Sequence, residues 1–264
     1  MKRSSGARLC ATAAMGALSL ALMTGCGSSD EGSKDSGDSK GSSSAAASDA
    51  KALTSAELEK LLLAQGEVKG YKVGSGDDTA ATSKSAVKVD KSECAPMAWA
   101  TNGLPPGDTD ANATNSLTED KASDAPTSLD DVSEADIEGA FDITMTYVGL
   151  SSYEGDGDGA EKTIKSLSDG VSACAGGYGF TADGESSKVT KVATEKGSGQ
   201  GDESVAFTQD VEVEGQTVTA HTEVVRKGNT LATFFTMDLA ALAKGGEMSD
   251  VPAAVIDAQV AKLK

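Results

Sequence analysis

Apolar and polar residues alternate most clearly in the second half of the chain. Phe141-Asp142-Ile143-Thr144-Met145-Thr146-Tyr147 sets them in strict turn, the pattern of a strand with one buried face. Val189 to Ala193, Ser204 to Val213, Thr217 to Arg226 and Thr230 to Asp238 carry the β-branched and aromatic content of strands. Glu214-Gly215 and Gly228-Asn229 fall where hairpin turns need positive φ angles, which predicts an antiparallel meander. Shorter strands are expected at Gly70 to Val73 and at Ala86 to Val89.

Helical spacing appears in three places. Thr54-Ser55-Ala56-Glu57 is a capping box, and the helix it opens carries Leu58, Leu61 and Leu62 and stops near Gly66. Asp158 with Glu161 caps a second helix running to about Ala173, where Ile164, Leu167, Val171 and Cys174 share a stripe and Gly176-Gly177 ends it. Pro252 opens a last helix with Ile256, Val260 and Leu263 toward the sheet. Cys94 to Trp99 reads as a further helix or docking turn, with the single tryptophan buried by default. The whole predicts an α+β fold, an antiparallel sheet with helices packed on one face. Residues 102–139 are rich in Asp, Ser, Thr and Pro, and read as a long acidic, mobile loop with a weak strand at Ala111 to Leu117.

The N-terminal end has a different pattern. Lys2, Arg3 and Arg8 precede an apolar run from Leu9 to Met23, which Leu22-Met23-Thr24-Gly25-Cys26 closes. The run is short for a bilayer span, which takes about 20 apolar residues, and is diluted by small and hydroxylated ones. This segment resembles a bacterial lipoprotein signal peptide with its lipobox. The resemblance implies cleavage after residue 25 and a diacylglyceryl group on Cys26, an anchor on the membrane rather than through it. Residues 26–50 then form a Ser/Gly/Asp linker with no aromatic or branched aliphatic side chain, expected to stay disordered and to span about 25–30 Å. Residues 51–264 remain as a single extracellular domain.

Composition narrows the partners. Cleavage removes three of the 23 basic residues and none of the 41 acidic ones, taking the formal charge from −18 to −21. A surface this negative repels phosphate backbones, which argues against nucleic acid. Of four cysteines, Cys10 leaves with the signal and Cys26 is lipidated. Cys94 and Cys174 are left as an isolated pair outside the cytoplasm, most simply a disulfide.

Five stretches carry a family likeness. They are Cys94-Ala95-Pro96 through Asn102-Gly103-Leu104-Pro105, Ser152-Tyr153-Glu154 before Gly159-Ala160-Glu161, Cys174 before Gly179-Phe180, Val225 to Asn229, and Ala258 to Leu263. Together they resemble the uncharacterised lipoproteins of actinobacteria. More distantly, the order of helix, cysteine, hairpins and terminal helix is similar to the PknH-type extracellular sensor domain. That family carries two disulfides around a cleft, whereas one can form here; the resemblance implies sensing or binding.

Catalytic motifs are thin. His221 is the only histidine, read as mid-strand at a solvent-facing or pairing position, without the convergent ligands of a metal site or the partners of a serine triad. Ser85-Ala86-Val87-Lys88 matches Ser-x-x-Lys but lacks the companion elements of penicillin-binding enzymes. Glu154 to Gly159 looks like half a calcium loop whose closing glutamate is replaced by Lys165, and capping of the next helix explains it more simply. Gly197 to Gly201 reads as a flexible connection.

No catalytic residue, metal or cofactor is therefore assigned. The leading expectation is a membrane-anchored, non-catalytic binding or sensor-like domain for a small molecule or envelope component. The second is an interaction lipoprotein using the acidic loop, and the third a hydrolase. An apolar pocket with a polar rim would favour the first, an exposed apolar patch the second, and clustered titratable groups the third.

Overall fold

The computed structural model describes residues 51–76, 83–109, 111–120, 143–154, 159–213 and 215–264. All of them belong to the second of two units into which the chain divides, Ala45–Lys264. The signal segment, Cys26, the whole linker and residues 155–158 of the calcium-like loop lie outside the described residues.

Ten strands form one sheet. They are β1 (Tyr71–Ser75), β2 (Val87–Val89), β3 (Asn112–Glu119), β4 (Thr144–Ser152), β5 (Tyr178–Ala182), β6 (Glu185–Glu195), β7 (Glu203–Val213), β8 (Gln216–Lys227), β9 (Thr230–Asp238) and β10 (Gly246–Glu247). Their order is β1-β3-β4-β9-β8-β7-β6-β5-β2, and each neighbour on that path is antiparallel. The expected meander is there and is longer than three strands, running unbroken from β5 to β9. Turn chemistry explains it. Asp183 and Gly184 both have positive φ, 48° and 91°, as a two-residue hairpin turn requires, and Gly215 (83°) and Gly228 (56°) serve the next hairpins.

Among the described residues five α-helices accompany the sheet: α1 (Ser55–Leu61), α2 (Ala95–Ala100), α3 (Gly159–Ala173), α4 (Leu239–Lys244) and α5 (Ala253–Val260). At α1 the capping box is complete, with the Thr54 hydroxyl on the Glu57 amide and the Glu57 carboxylate on the Thr54 amide. The helix ends at Leu61, before Gly66, because the chain turns to bury Leu63.

The α+β class, the antiparallel sheet and the single bridge are as expected, but the helices do not share one face. Val224 and Leu231 pack with Met97 and Ala98 of α2 and with Ile164, Leu167 and Val171 of α3. Their chain neighbours Val225 and Ala232 pack instead with Leu58 of α1 and with Val255, Ile256 and Val260 of α5. Successive strand residues point to opposite faces, so the meander is sandwiched. This is why the adjacent residues Val224 and Val225 of β8 are both fully buried, as in strands covered on both sides.

Three other expectations are corrected. Of the strand placed at Phe141 to Tyr147, Phe141 and Asp142 lie outside the described residues, and Thr144 to Tyr147 open β4, Thr144–Ser152, with both faces buried between β3 and β9 rather than one. Within the 102–139 stretch read as mobile, the weak strand expected at Ala111 to Leu117 is a full one, β3, eight residues paired on both sides, in which Asn115 donates to the Leu63 carbonyl at 2.7 Å and Ser116 to the Ser75 carbonyl at 2.9 Å. Residues 121–139 lie outside the described residues. Trp99 is only half-buried, with the Lys84 ammonium 4.3 Å from its ring centroid.

Candidate functional site

Two hollows line the face that α2 covers. One lies between Thr101 and Asn102, which follow α2, and the strand residues Phe180, Val189, Gln209, Val211, Ala220, Thr222, Phe235 and Met237. It measures about 160 Å³, room for a ring-sized group. The second, much smaller, lies beneath Gly103-Leu104-Pro105 against Tyr147, Gly149, Thr233 and Phe235. Phe235 borders both and stacks on Tyr147 at 4.6 Å, so the pair forms an aromatic floor under the 100–105 turn.

Polar groups are few there. Gln209 Nε2 donates to the Tyr178 hydroxyl at 2.5 Å, and burial raises the Tyr178 phenol well above its usual range. The Thr222 hydroxyl is buried without a hydrogen-bond partner. An apolar wall with one or two convergent polar groups is the composition of a small-molecule site.

The opposite face holds a polar constellation. His221 is 2 % exposed, so the expected solvent-facing position is corrected. It faces the α5 side because Val225, four residues on along β8, packs there. Its Nδ1 stands 3.1 Å from Glu195 Oε1 at the end of β6 and 3.5 Å from Asp250 Oδ1 in the lead-in to α5. Its Nε2 stands 3.4 Å from Glu247 Oε1 in β10 but makes no hydrogen bond. Glu195, His221 and Asp250 each present a ligand atom within 4.8 Å of the others.

The fold explains this gathering. β9 pairs with β8 only from Thr222 onward, and β10 runs parallel beside Val218 and Thr219, fastened by the Met248 amide on the Thr219 carbonyl at 2.9 Å. Gly245 and Gly246, with φ of 75° and 107°, allow the reversal after α4 that brings Glu247 in. Next to the cluster a cavity of about 390 Å³ is bordered by Glu195, Lys196, Ser198, Glu223, Asp250 and Ile256. Glu223, buried in its wall, accepts from the Ser198 amide at 2.9 Å and from its hydroxyl at 2.7 Å. The 197–201 segment, expected to be a loose connection, is therefore tied down, and a Cβ on Gly201 would stand 2.4 Å from the Arg226 carbonyl.

The remaining candidates fall out separately. Cys94 and Cys174 form a disulfide with Cα atoms 6.0 Å apart, joining the start of α2 to the end of α3. Close packing accompanies it, since a Cβ on Gly170 would stand 2.6 Å from the Glu93 carbonyl. Ser85 and Lys88 are exposed, and the Ser85 hydroxyl bonds that of Ser83. The carboxylates around His221 were missed because they come from three separated segments. Only the presence of a lone histidine on an acidic chain pointed there.

No family model matches the chain, and no curated protein matches it. Among solved structures it is similar to the extracellular domain of PknH from Mycobacterium tuberculosis, at 14% identity and TM-score 0.44, covering 80% of this chain and 98% of that one. It is also similar to an uncharacterised protein from Mycobacterium smegmatis, at 14% identity and TM-score 0.34, covering 79% of this chain and 94% of that one. Backbone overlaps of this size carry no ligand and no activity across.

Proposed function

We propose that the chain is a lipid-anchored extracellular binding domain, without catalytic activity, that holds a small molecule or an apolar group of an envelope component against Phe235. The observation that carries this reading is the hollow of about 160 Å³, apolar-walled and holding the unbonded Thr222 hydroxyl. Among the described residues the large apolar side chains in the open are Ile143 and Leu239, scattered singles rather than a docking patch. Among the described residues the His221 ring is bordered by the carboxylates of Glu195, Glu247 and Asp250, not by the hydroxyl or thiol a triad requires. Among the described residues no helix is long and apolar enough to cross a membrane, which fits attachment through Cys26.

The test is native mass spectrometry of the full chain taken from its own envelope in mild detergent, beside an Ala220→Phe variant that fills the hollow. The wild type carries a reproducible small-molecule adduct, and the variant keeps its melting temperature within a few degrees but loses the adduct. Bare wild-type protein, or an adduct unchanged in the variant, overturns the reading.

A further inference from the structure

We propose that Glu195, His221 and Asp250 bind one divalent transition-metal ion of the zinc class, with Glu247 as the outer carboxylate that orients the imidazole. The charge balance supports this. Three carboxylates surround one ring that carries at most one positive charge, and among the described residues no lysine or arginine pairs with any of the three. Lys196 borders the same cavity but makes no ion pair with them. The carboxylates are a third or more exposed, but together they leave beside the buried ring an excess of negative charge that a cation would neutralise.

The distances suit one. A tetrahedral shell with bonds of about 2.05 Å has edges of about 3.3 Å. The two edges from His221 Nδ1 measure 3.1 Å to Glu195 and 3.5 Å to Asp250. Nδ1 lies within hydrogen-bond distance of both Glu195 oxygens, 3.1 and 3.2 Å, and one ring nitrogen offers one proton or one lone pair, so it does not serve Asp250 as well. A metal bonded to the nitrogen and to one oxygen of each carboxylate serves both. Small outward movements make room for the ion, because Asp250 is 87 % exposed and Glu195 a third exposed.

The far side of the ring is consistent with the same assignment. Nε2 is buried and makes no hydrogen bond, with a carboxylate oxygen 3.4 Å away. With the proton on Nε2 facing Glu247, the Nδ1 lone pair is directed at Glu195 and Asp250, the carboxylate–histidine–metal arrangement that fixes tautomer and ring orientation. One imidazole with two carboxylates suits zinc or its first-row neighbours, whereas calcium takes six to eight oxygens. The adjacent cavity of about 390 Å³ gives the ion an entry path and room for a water as the remaining ligand. The ion would join β6, β8 and the lead-in to α5.

Zinc titration of the full chain in detergent, stripped with chelator and followed by calorimetry and by melting temperature, tests the site. Asp250→Asn, an exposed change that leaves the fold intact, is measured beside Glu195→Gln, Glu247→Gln and His221→Ala. One zinc binds per wild-type chain and raises its melting temperature. Asp250→Asn and Glu195→Gln each weaken binding at least about ten-fold, and Glu247→Gln about ten-fold through orientation. Folded His221→Ala abolishes binding, and if that variant fails to fold the Asp250 comparison decides alone. Absence of binding up to millimolar zinc, or equal affinity in wild type and Asp250→Asn, overturns the assignment. Either result leaves the groove proposal untouched, because the two sites lie on opposite faces of the sheet.

Discussion

Asp202 shows how single carboxylates tune this acidic protein. It accepts the Gly228 amide at 2.7 Å and the Lys227 ammonium at 3.0 Å. The Gly228 N–H above all, then Lys227 and Arg226, holds its carboxyl below the usual value of 3.8. Glu57, through the Thr54 amide, and Glu67, through Lys262, are lowered in the same direction. A folded-state value below the unfolded one contributes stability that is complete above the unfolded value and is lost as pH falls through the folded one. Thermal melts from pH 7 to pH 2.5 should therefore show the wild type losing stability below about pH 4, with a shallower decline in Asp202→Asn. The relief of anionic self-repulsion on acidification is common to both proteins, so the difference between the curves isolates Asp202. Parallel curves would leave that carboxylate without a role in the hairpin end it caps.

At the scale of elements, the bridge and the helix stripe are one device. Cys94 and Cys174 are both fully buried and lie in the cluster of Met97, Leu167 and Val171. The bond closes a separation of 80 residues, for which the chain-entropy model gives about 4–5 kcal/mol of stabilisation. A Cys94→Ala, Cys174→Ala double variant should lose about that much in denaturant unfolding, with the slope changing as the unfolded chain expands. Loss of less than about 1 kcal/mol would mean that packing of α2 on α3 holds this corner unaided. The meander was readable because β-branched residues and turn glycines agree on the same hairpins. β3 was read only faintly because Asn112, Thr114, Asn115, Ser116, Thr118 and Glu119 outnumber its apolar residues. The Asn115 Nδ2 and the Ser116 hydroxyl find partners in the Leu63 and Ser75 carbonyls, which only the assembled fold supplies.

For the molecule as a whole, anchoring and recognition are separate in sequence. The proposed attachment point is Cys26, and both sites lie in Ala45–Lys264. Under the proposed anchoring, Cys26→Ser should move the chain from the membrane to the soluble fraction on cell fractionation. The native protein's first peptide should begin at a diacylglyceryl-modified Cys26. An unmodified Cys26, or membrane partitioning unchanged in the variant, would remove the lipid anchor from the account. The sandwiching of the sheet matters here too. Each face has its own helices and its own hollow, so a ligand on the α2 side and an ion on the α5 side bind without competing.

Periodicity and turn chemistry by themselves determined the elements: the capping box at Thr54, the stripe of α3, four strands of the meander and the last helix. These are local signals, written in spacings of two to four residues. Which face each helix covers was not among them, because a strand buried on both sides loses the alternation that would distinguish its faces. The setting of His221 was equally hidden. Glu195, Glu247 and Asp250 are scattered over more than fifty residues of chain, and only the exchange of β9 for β10 alongside β8 gathers their carboxylates around one buried ring.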